Sequence, residues 1–281
     1  MEAASLAAGV GRVKFATHHL GPTLAAGLAT PAAWETAVTP LLRALTALAD
    51  SGCAPTLPDG ATGGNAAMVD GVGGLLVSRS GKAAGVVLTP ADVVRVVSFD
   101  TATWAAEYET PPVGVVPSSS SPMPSPGGVA NVGDGGGGGG GGGGGIPQPT
   151  SDTPLLWAAL MSPPGAYGWP TEPGCRPTAA LHGHALETPT AASAAAIPFS
   201  PEETLFSTPA DVAAAARVWT AHPYPGEEVW VRRGHGWFAV AGGRGRIGGG
   251  AAEGGALGVV DVMRRRVLPY IDREGRKGAQ P

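Results

Sequence analysis

The sequence predicts a layered α/β domain. Three observations predict it. Helix starts of the form Thr-Pro recur along the chain, short runs rich in Val, Trp and Leu lie between them, and the two kinds of segment alternate irregularly instead of segregating. Thr30-Pro31 opens the first helix, with Trp34, Val38, Leu41, Leu42, Leu45 and Leu48 on an apolar stripe and Gly52 at its end. Pro40 within it predicts a kink or a restart. Thr89-Pro90-Ala91-Asp92 and Thr208-Pro209-Ala210-Asp211 repeat the start, each with an acid three residues after the Thr, as in a capping box. The second of these predicts a helix to about Thr220. Thr153-Pro154 predicts another to about Met161, and a last one is expected from about Leu257 to Ile271. Strands are expected at Gly74 to Ser78, Val93 to Val97, Thr178 to Leu186, Val229 to Arg232 and Trp237 to Val240.

One stretch cannot hold a core. Residues 117–149 run from a Pro/Ser-rich segment into eleven consecutive glycines, Gly135 to Gly145. Glycine loses the most entropy on ordering and offers no apolar surface. The stretch is therefore expected to be a disordered insertion, with 1–116 and 150–281 together forming one domain. The competing expectation is a linker between two separately folding halves.

The bulk properties exclude several functions. Charged residues make up 14% of the chain and the net charge is −4. Beyond the triplet Arg264-Arg265-Arg266, read as a solvated helix face, there is no basic block, so no nucleic-acid partner is expected. No run approaches the ~18 apolar residues of a membrane span, so no membrane partner is expected. Glu2 and the lack of a basic segment argue against a secretory leader. A cytoplasmic protein is expected, and an organellar address stays open because alanine-rich leaders are hard to read. Cys53 and Cys175 are distant from each other in sequence and neither belongs to a CxxC pair, so two reduced thiols are expected.

The histidines carry the chemistry. His182 and His184 flank Gly183, and in a strand residues i and i+2 share a face, so both imidazoles can reach one ion. Gly183 leaves the opposite face open to close packing. A catalytic zinc takes three protein ligands and keeps a position open. His235, between glycines and between two apolar runs, is the best-placed third ligand. His222 ends a helix and is expected to serve its last carbonyls, while His18 and His19 are expected at the surface. Gly243-Arg244-Gly245-Arg246-Ile247-Gly248 spells a dinucleotide fingerprint, but only a glycine-rich loop, one helix and a polar tail follow, so that reading is set aside.

Six segments in order resemble the class II aldolase/adducin family. Gly63-Gly64-Asn65 with Asp70-Gly71 is similar to its GN…DG opening, Leu75 to Gly81 to its ITPSG segment, and Leu88 to Val94 to its LTPEDVV segment. Thr150-Ser151-Asp152 stands where the family has Ser-Ser-Glu. Pro177 to His184 is similar to AVVHTHS, and Gly234 to Gly242 to NHGVVVVG. Val13-Lys14-Phe15 also resembles a divergent microbial branch of the family.

The resemblance implies a three-layer α/β/α domain with a central, mainly antiparallel or mixed sheet. It implies that His182, His184 and His235 hold Zn²⁺ or another divalent transition metal, and that Asp152 takes the role of the family's catalytic glutamate. It implies that Gly64, Asn65, Ser80, Gly81 and Ser151 line an anion pocket for a substrate phosphate. The expected function is a zinc-dependent lyase acting on a small sugar or sugar phosphate through an enediolate, as an aldolase or as an epimerase or dehydratase variant. A homo-tetramer is expected. The alternative is a non-catalytic, adducin-like protein-interaction module. The chain departs from the pattern at Gly234, where the family has Asn, at Ala66-Ala67 after the GN turn, at the shorter Asp152 side chain, and in a short span between His184 and His235.

Overall fold

The computed structural model describes residues 15–57, 60–115, 146–172, 174–186, 189–242 and 251–271. Val13, Lys14, most of the Pro/Ser/Gly-rich segment and the 243–248 fingerprint lie outside the described residues.

Among the described residues nine strands form one mixed sheet: β1 (Ala16–Pro22), β2 (Asn65–Val69), β3 (Leu75–Ser78), β4 (Val93–Asp100), β5 (Ala105–Thr110), β6 (Ala179–Gly183), β7 (Phe199–Ser200), β8 (Val229–Arg232) and β9 (Gly236–Ala241). Their order is β1-β5-β4-β3-β2-β6-β9-β8-β7, so strands from both sides of the glycine run share the sheet. The outermost pairs, β1 with β5 and β7 with β8, are parallel. The six between them are antiparallel.

Five α-helices among the described residues cover the two faces: α1 (Pro31–Asp50), α2 (Thr153–Met161), α3 (Pro189–Ala194), α4 (Pro209–Ala221) and α5 (Ala251–Arg266). The strand alternation sorts the core into two layers. Leu181, Trp237, Ala239 and Ala241 pack with Trp34, Leu41, Leu45 and Leu48 of α1 and Val259 and Met263 of α5. Ala180, Phe238 and Val240 pack with Leu155 and Leu156 of α2 and Val218 and Trp219 of α4. The expected α/β/α layering is what the sheet and its two cores form.

Local chemistry explains the helix starts. Thr30 accepts a hydrogen bond from the Ala33 amide at the head of α1, and Pro40 stays inside one continuous helix. Thr208 caps α4 through the Asp211 amide. Thr89 to Asp92 forms a complete capping box, but on a single 3₁₀ turn, after which the chain runs straight into β4. The β-branched run Val93-Val94-Arg95-Val96-Val97 prefers the sheet and ends the turn at once. The last helix starts at Ala251, earlier than its apolar pattern indicates, and a further turn reaches Ile271. β1, β2, β5, β7 and α3 are additional to the elements expected from sequence. Cys53 and Cys175 are free thiols. Among the described residues no helix is long and apolar enough to cross a membrane.

Candidate metal centre

Two antiparallel neighbours and one tight turn bring the histidines together. β6 carries His182 opposite Asn65 of β2 and Phe238 of β9. β6 ends at Gly183, so His184 lies just beyond the strand, where its amide donates to the Cys53 carbonyl at 2.8 Å. His235 sits in the turn joining β8 to β9, its amide donating to the Arg232 carbonyl at 3.1 Å. The ring centroids of His182 lie 4.9 Å from His184 and 4.6 Å from His235. The three rings offer one ligand atom each, all within 4.8 Å of one another.

Glycines make this approach possible. A Cβ on Gly236, at φ +127°, would meet the Gly183 carbonyl oxygen at 2.3 Å, so only glycine lets the His235 turn close on the end of β6. A Cβ on Gly183 would lie 2.5 Å from the buried Trp237 indole. Gly183→Ala is therefore expected to cost about 1–3 kcal/mol by overpacking. Urea unfolding of the metal-free protein checks this, and an unchanged midpoint would contradict the packing described.

His182 is buried, and its Nδ1 lies 2.8 Å from the Trp237 carbonyl. A carbonyl can only accept, so Nδ1 carries the proton and Nε2 keeps its lone pair. Nε2 is buried with no hydrogen-bond partner. An imidazole held by a backbone carbonyl on one nitrogen, with the other presented inward, is the usual arrangement of a metal-ligating histidine. Burial pushes the His182 pKa down from 6.5 to about 3, with the His235 and His184 charges adding to the effect and Asp152 opposing it. The ring is thus neutral, as a ligand must be.

Asp152 occupies the N-cap position of α2, yet its side chain makes no capping bond. Its carboxylate turns into the centre instead. Oδ1 lies 3.5 Å from His235 Nε2, and Oδ2 lies 3.8 Å from His182 Nε2. Oδ2 accepts from the Asn65 amide, while Oδ1 has no hydrogen-bond partner. Burial alone would raise this carboxyl. His235 foremost, with the other imidazoles at the centre and the Asn65 bond, outweighs it and holds Asp152 below the usual carboxylate range.

Ligands 2.0–2.2 Å from one tetrahedral ion stand roughly 3.3–3.6 Å apart. The imidazole ligand atoms stand within 4.8 Å of one another, somewhat looser than that spacing, and the buried Nε2 of His182 has no other partner, so the three nitrogens fit a divalent ion, with the Asp152 carboxylate beside them.

The backbone around Asp152 is fixed from two sides. The Thr150 amide donates to the Ser78 carbonyl at 3.1 Å and the Ser80 amide to the Gln148 carbonyl at 2.9 Å, a short ladder beyond β3. On the other side Ser207 Oγ donates to the Ser151 carbonyl.

The candidate anion-pocket residues are dispersed around this frame. Gly64 is buried at φ +76° beneath the His182 carbonyl, and Asn65 faces Asp152. The Ser80 amide is engaged by Gln148, Gly81 is exposed, and the Ser151 carbonyl is engaged by Ser207. His18 and His19 lie exposed on β1 at the edge of the sheet.

Sequence reasoning missed several groups around the centre. Lys82 is buried, with Nζ 3.1 Å from the Arg79 carbonyl and 3.4 Å from the Gly64 carbonyl and the Ser78 hydroxyl. Asp211 and Arg232 form a buried ion pair. Asp211 carries the capping-box signature, but its carboxylate bonds the Ser207 amide at 3.1 Å as well as Arg232. Phe206 lies edge-on to His235, ring centroids 5.5 Å apart. The Asp211–Arg232 and Phe206–His235 contacts join residues 21 and 29 positions apart, which no local pattern marks.

No protein-family profile matches the chain, and no curated protein sequence matches it. Among solved structures, the chain is similar to an L-fuculose 1-phosphate aldolase at 12% identity and a TM-score of 0.46, covering 92% of each chain. It is similar to the L-fuculose-1-phosphate aldolase of Thermus thermophilus at 16% identity and a TM-score of 0.44, covering 86% of this chain and 96% of that one. It is also similar to YgbL of Escherichia coli at 13% identity and a TM-score of 0.46, covering 88% of this chain and 92% of that one.

Proposed function

We propose that the chain is a divalent-metal enzyme of class II aldolase type, with zinc as the metal and a small sugar or sugar phosphate as substrate. The observation that carries this reading is the convergence of His182, His184 and His235 beside the buried carboxylate of Asp152. The ordered motif resemblance supports it independently.

A bound divalent ion supplies Lewis-acid stabilisation of negative charge that develops on a carbonyl oxygen as a carbon–carbon bond breaks or an adjacent proton leaves. The protein's own groups do the rest. The Trp237 carbonyl fixes the His182 tautomer. Asn65 holds Oδ2 of Asp152, which leaves Oδ1 to take or return a proton at the substrate. His184 is less buried than the other two histidines, and substrate is proposed to approach from its side. The turns at Gly64-Asn65 and Ser80-Gly81, with Ser151, are proposed to receive the phosphate.

Metal analysis of the purified protein tests this reading. About one zinc per chain is expected, lost in the His182→Ala/His184→Ala variant. A well-folded protein that binds no divalent metal would support the interaction-module alternative instead. Turnover of phosphorylated ketoses should then fall at least ~10²-fold in Asp152→Ala. Undiminished activity in that variant would remove Asp152 from the mechanism.

A further inference from the structure

Ser207 is wholly buried, yet its backbone lies at φ +62°, a conformation that favours glycine. Glycine there would adopt the same backbone without strain. The serine brings only its hydroxyl in exchange, and that hydroxyl donates to the carbonyl of Ser151, the residue before Asp152.

The rest of Ser207 is tied down as well. Its amide donates to Asp211 Oδ2 at 3.1 Å, and its carbonyl accepts from Trp104 Nε1 at 2.9 Å. Asp211 is the ion-pair partner of Arg232, and the Arg232 carbonyl accepts from the His235 amide at 3.1 Å. Two arms therefore leave one buried residue. The first reaches the backbone of Asp152, and the second runs through Asp211 and Arg232 to the turn that carries His235. Phe206, the preceding residue, packs its ring beside His235.

We infer that Ser207 is a positioning residue for the metal centre: its hydroxyl sets the place of Asp152 relative to His235. The inference rests on the metal-centre reading above. It accounts for a strained, buried serine where glycine would be unstrained, an outlier of the kind that marks functional sites. A hydrogen bond to the backbone beside the carboxylate moves that carboxylate without touching any ligand atom, so the residue acts through Asp152 and not on the substrate.

The test is cobalt(II) binding to the metal-free full chain, followed by the visible ligand-field bands, in wild type, Ser207→Gly, Ser207→Ala and Ser200→Ala. Ser207→Gly suits the backbone and removes the hydroxyl together with its Cβ, while Ser207→Ala removes the hydroxyl alone and keeps the strained backbone. Ser200 is a buried serine whose hydroxyl has no hydrogen-bond partner, and it serves as the control.

The expected result is that Ser207→Gly melts as wild type does without metal, binds cobalt about tenfold more weakly and shows altered bands. Ser200→Ala should match wild type. Wild-type affinity and bands in Ser207→Gly overturn the positioning role and leave the metal centre standing. A wild-type chain that takes up no cobalt overturns the metal centre and this inference together. Should Ser207→Ala not fold, Ser207→Gly alone decides.

Discussion

Truncation of Arg232 to alanine is expected to destabilise the protein by about 3–5 kcal/mol, a large part of a domain's total stability. The guanidinium and the Asp211 carboxylate are both buried, with side-chain exposures of 3% and 0%. Arg232 also donates to the Asp211 carbonyl at 3.0 Å and to the Thr204 hydroxyl. Burial already holds the Asp211 carboxyl above its ordinary range, with Arg232 pulling it back. Removing the cation strands a carboxylate with no access to water, and the cost is that of the stranded charge more than of the lost pair.

The exposed pair Arg217–Glu202 supplies the contrast, with side-chain exposures of 59% and 42%. Arg217→Ala is expected to cost less than about 1 kcal/mol. Urea unfolding at pH 7 measures both. Equal losses in the two variants would refute the assignment of burial as the deciding factor. Replacing both Arg232 and Asp211 by apolar residues of similar volume should recover most of the stability, since no charge is then left unpaired.

A steep loss of stability is expected as pH rises from about 9 to 12. Three acids are kept protonated in the folded chain. Burial raises the Cys53 thiol above 9.0, against the opposing contacts of Ser51 and Trp237. Burial raises the Tyr108 phenol above 10.0. The Tyr224 phenol goes from 10.0 to about 12, through burial first and then the Glu228 and Cys175 charges.

In this window the unfolded chain has released protons that the folded chain still holds, so the unfolding free energy falls with pH. The contribution is complete below the unfolded values and is lost as pH climbs toward the folded ones. Tyr224, the one phenol raised as far as about 12, contributes a slope of at most about 1.4 kcal/mol per pH unit between pH 10 and 12, lessened by the solvent that reaches it. Tyr224→Phe should make the slope between pH 10 and 12 shallower by about one proton. An unchanged slope would show that this phenol titrates alike in both states.

Much of the architecture and of the candidate centre was legible in the sequence. Thr-Pro starts mark α1 and α4 because capping is settled within four residues of chain, and Thr153-Pro154 marks α2 through a proline that suits its first turn. The spacing of His182 and His184 pointed to a shared side through strand alternation, but the strand stops at Gly183, short of the expected Leu186, and the Cys53 carbonyl holds His184 just past its end. The glycines around His235 announce a turn because turns are equally local.

Of the four strands that went unread, β7 is only two residues long, and β1, β2 and β5 are ones whose own residues argue weakly for a sheet. Asn65-Ala-Ala-Met-Val has little β-branched content, and Ala105-Ala-Glu-Tyr-Glu-Thr is half polar. Their neighbours in the sheet make them strands.

By itself, then, the sequence determined the layered class, most helix boundaries and the identity of three metal-competent histidines. Only the tertiary structure decided where the Asp152 carboxylate points, that Asn65 receives it, and that Ser207, Asp211 and Arg232 tie it to His235. Capping, turns and alternation are dictated by bonds between near neighbours. The direction of a buried carboxylate depends on which groups 50 to 90 positions away are brought against it, as the Asn65–Asp152 and Ser151–Ser207 bonds show at separations of 87 and 56 residues, and strand register settles that only once the sheet has formed.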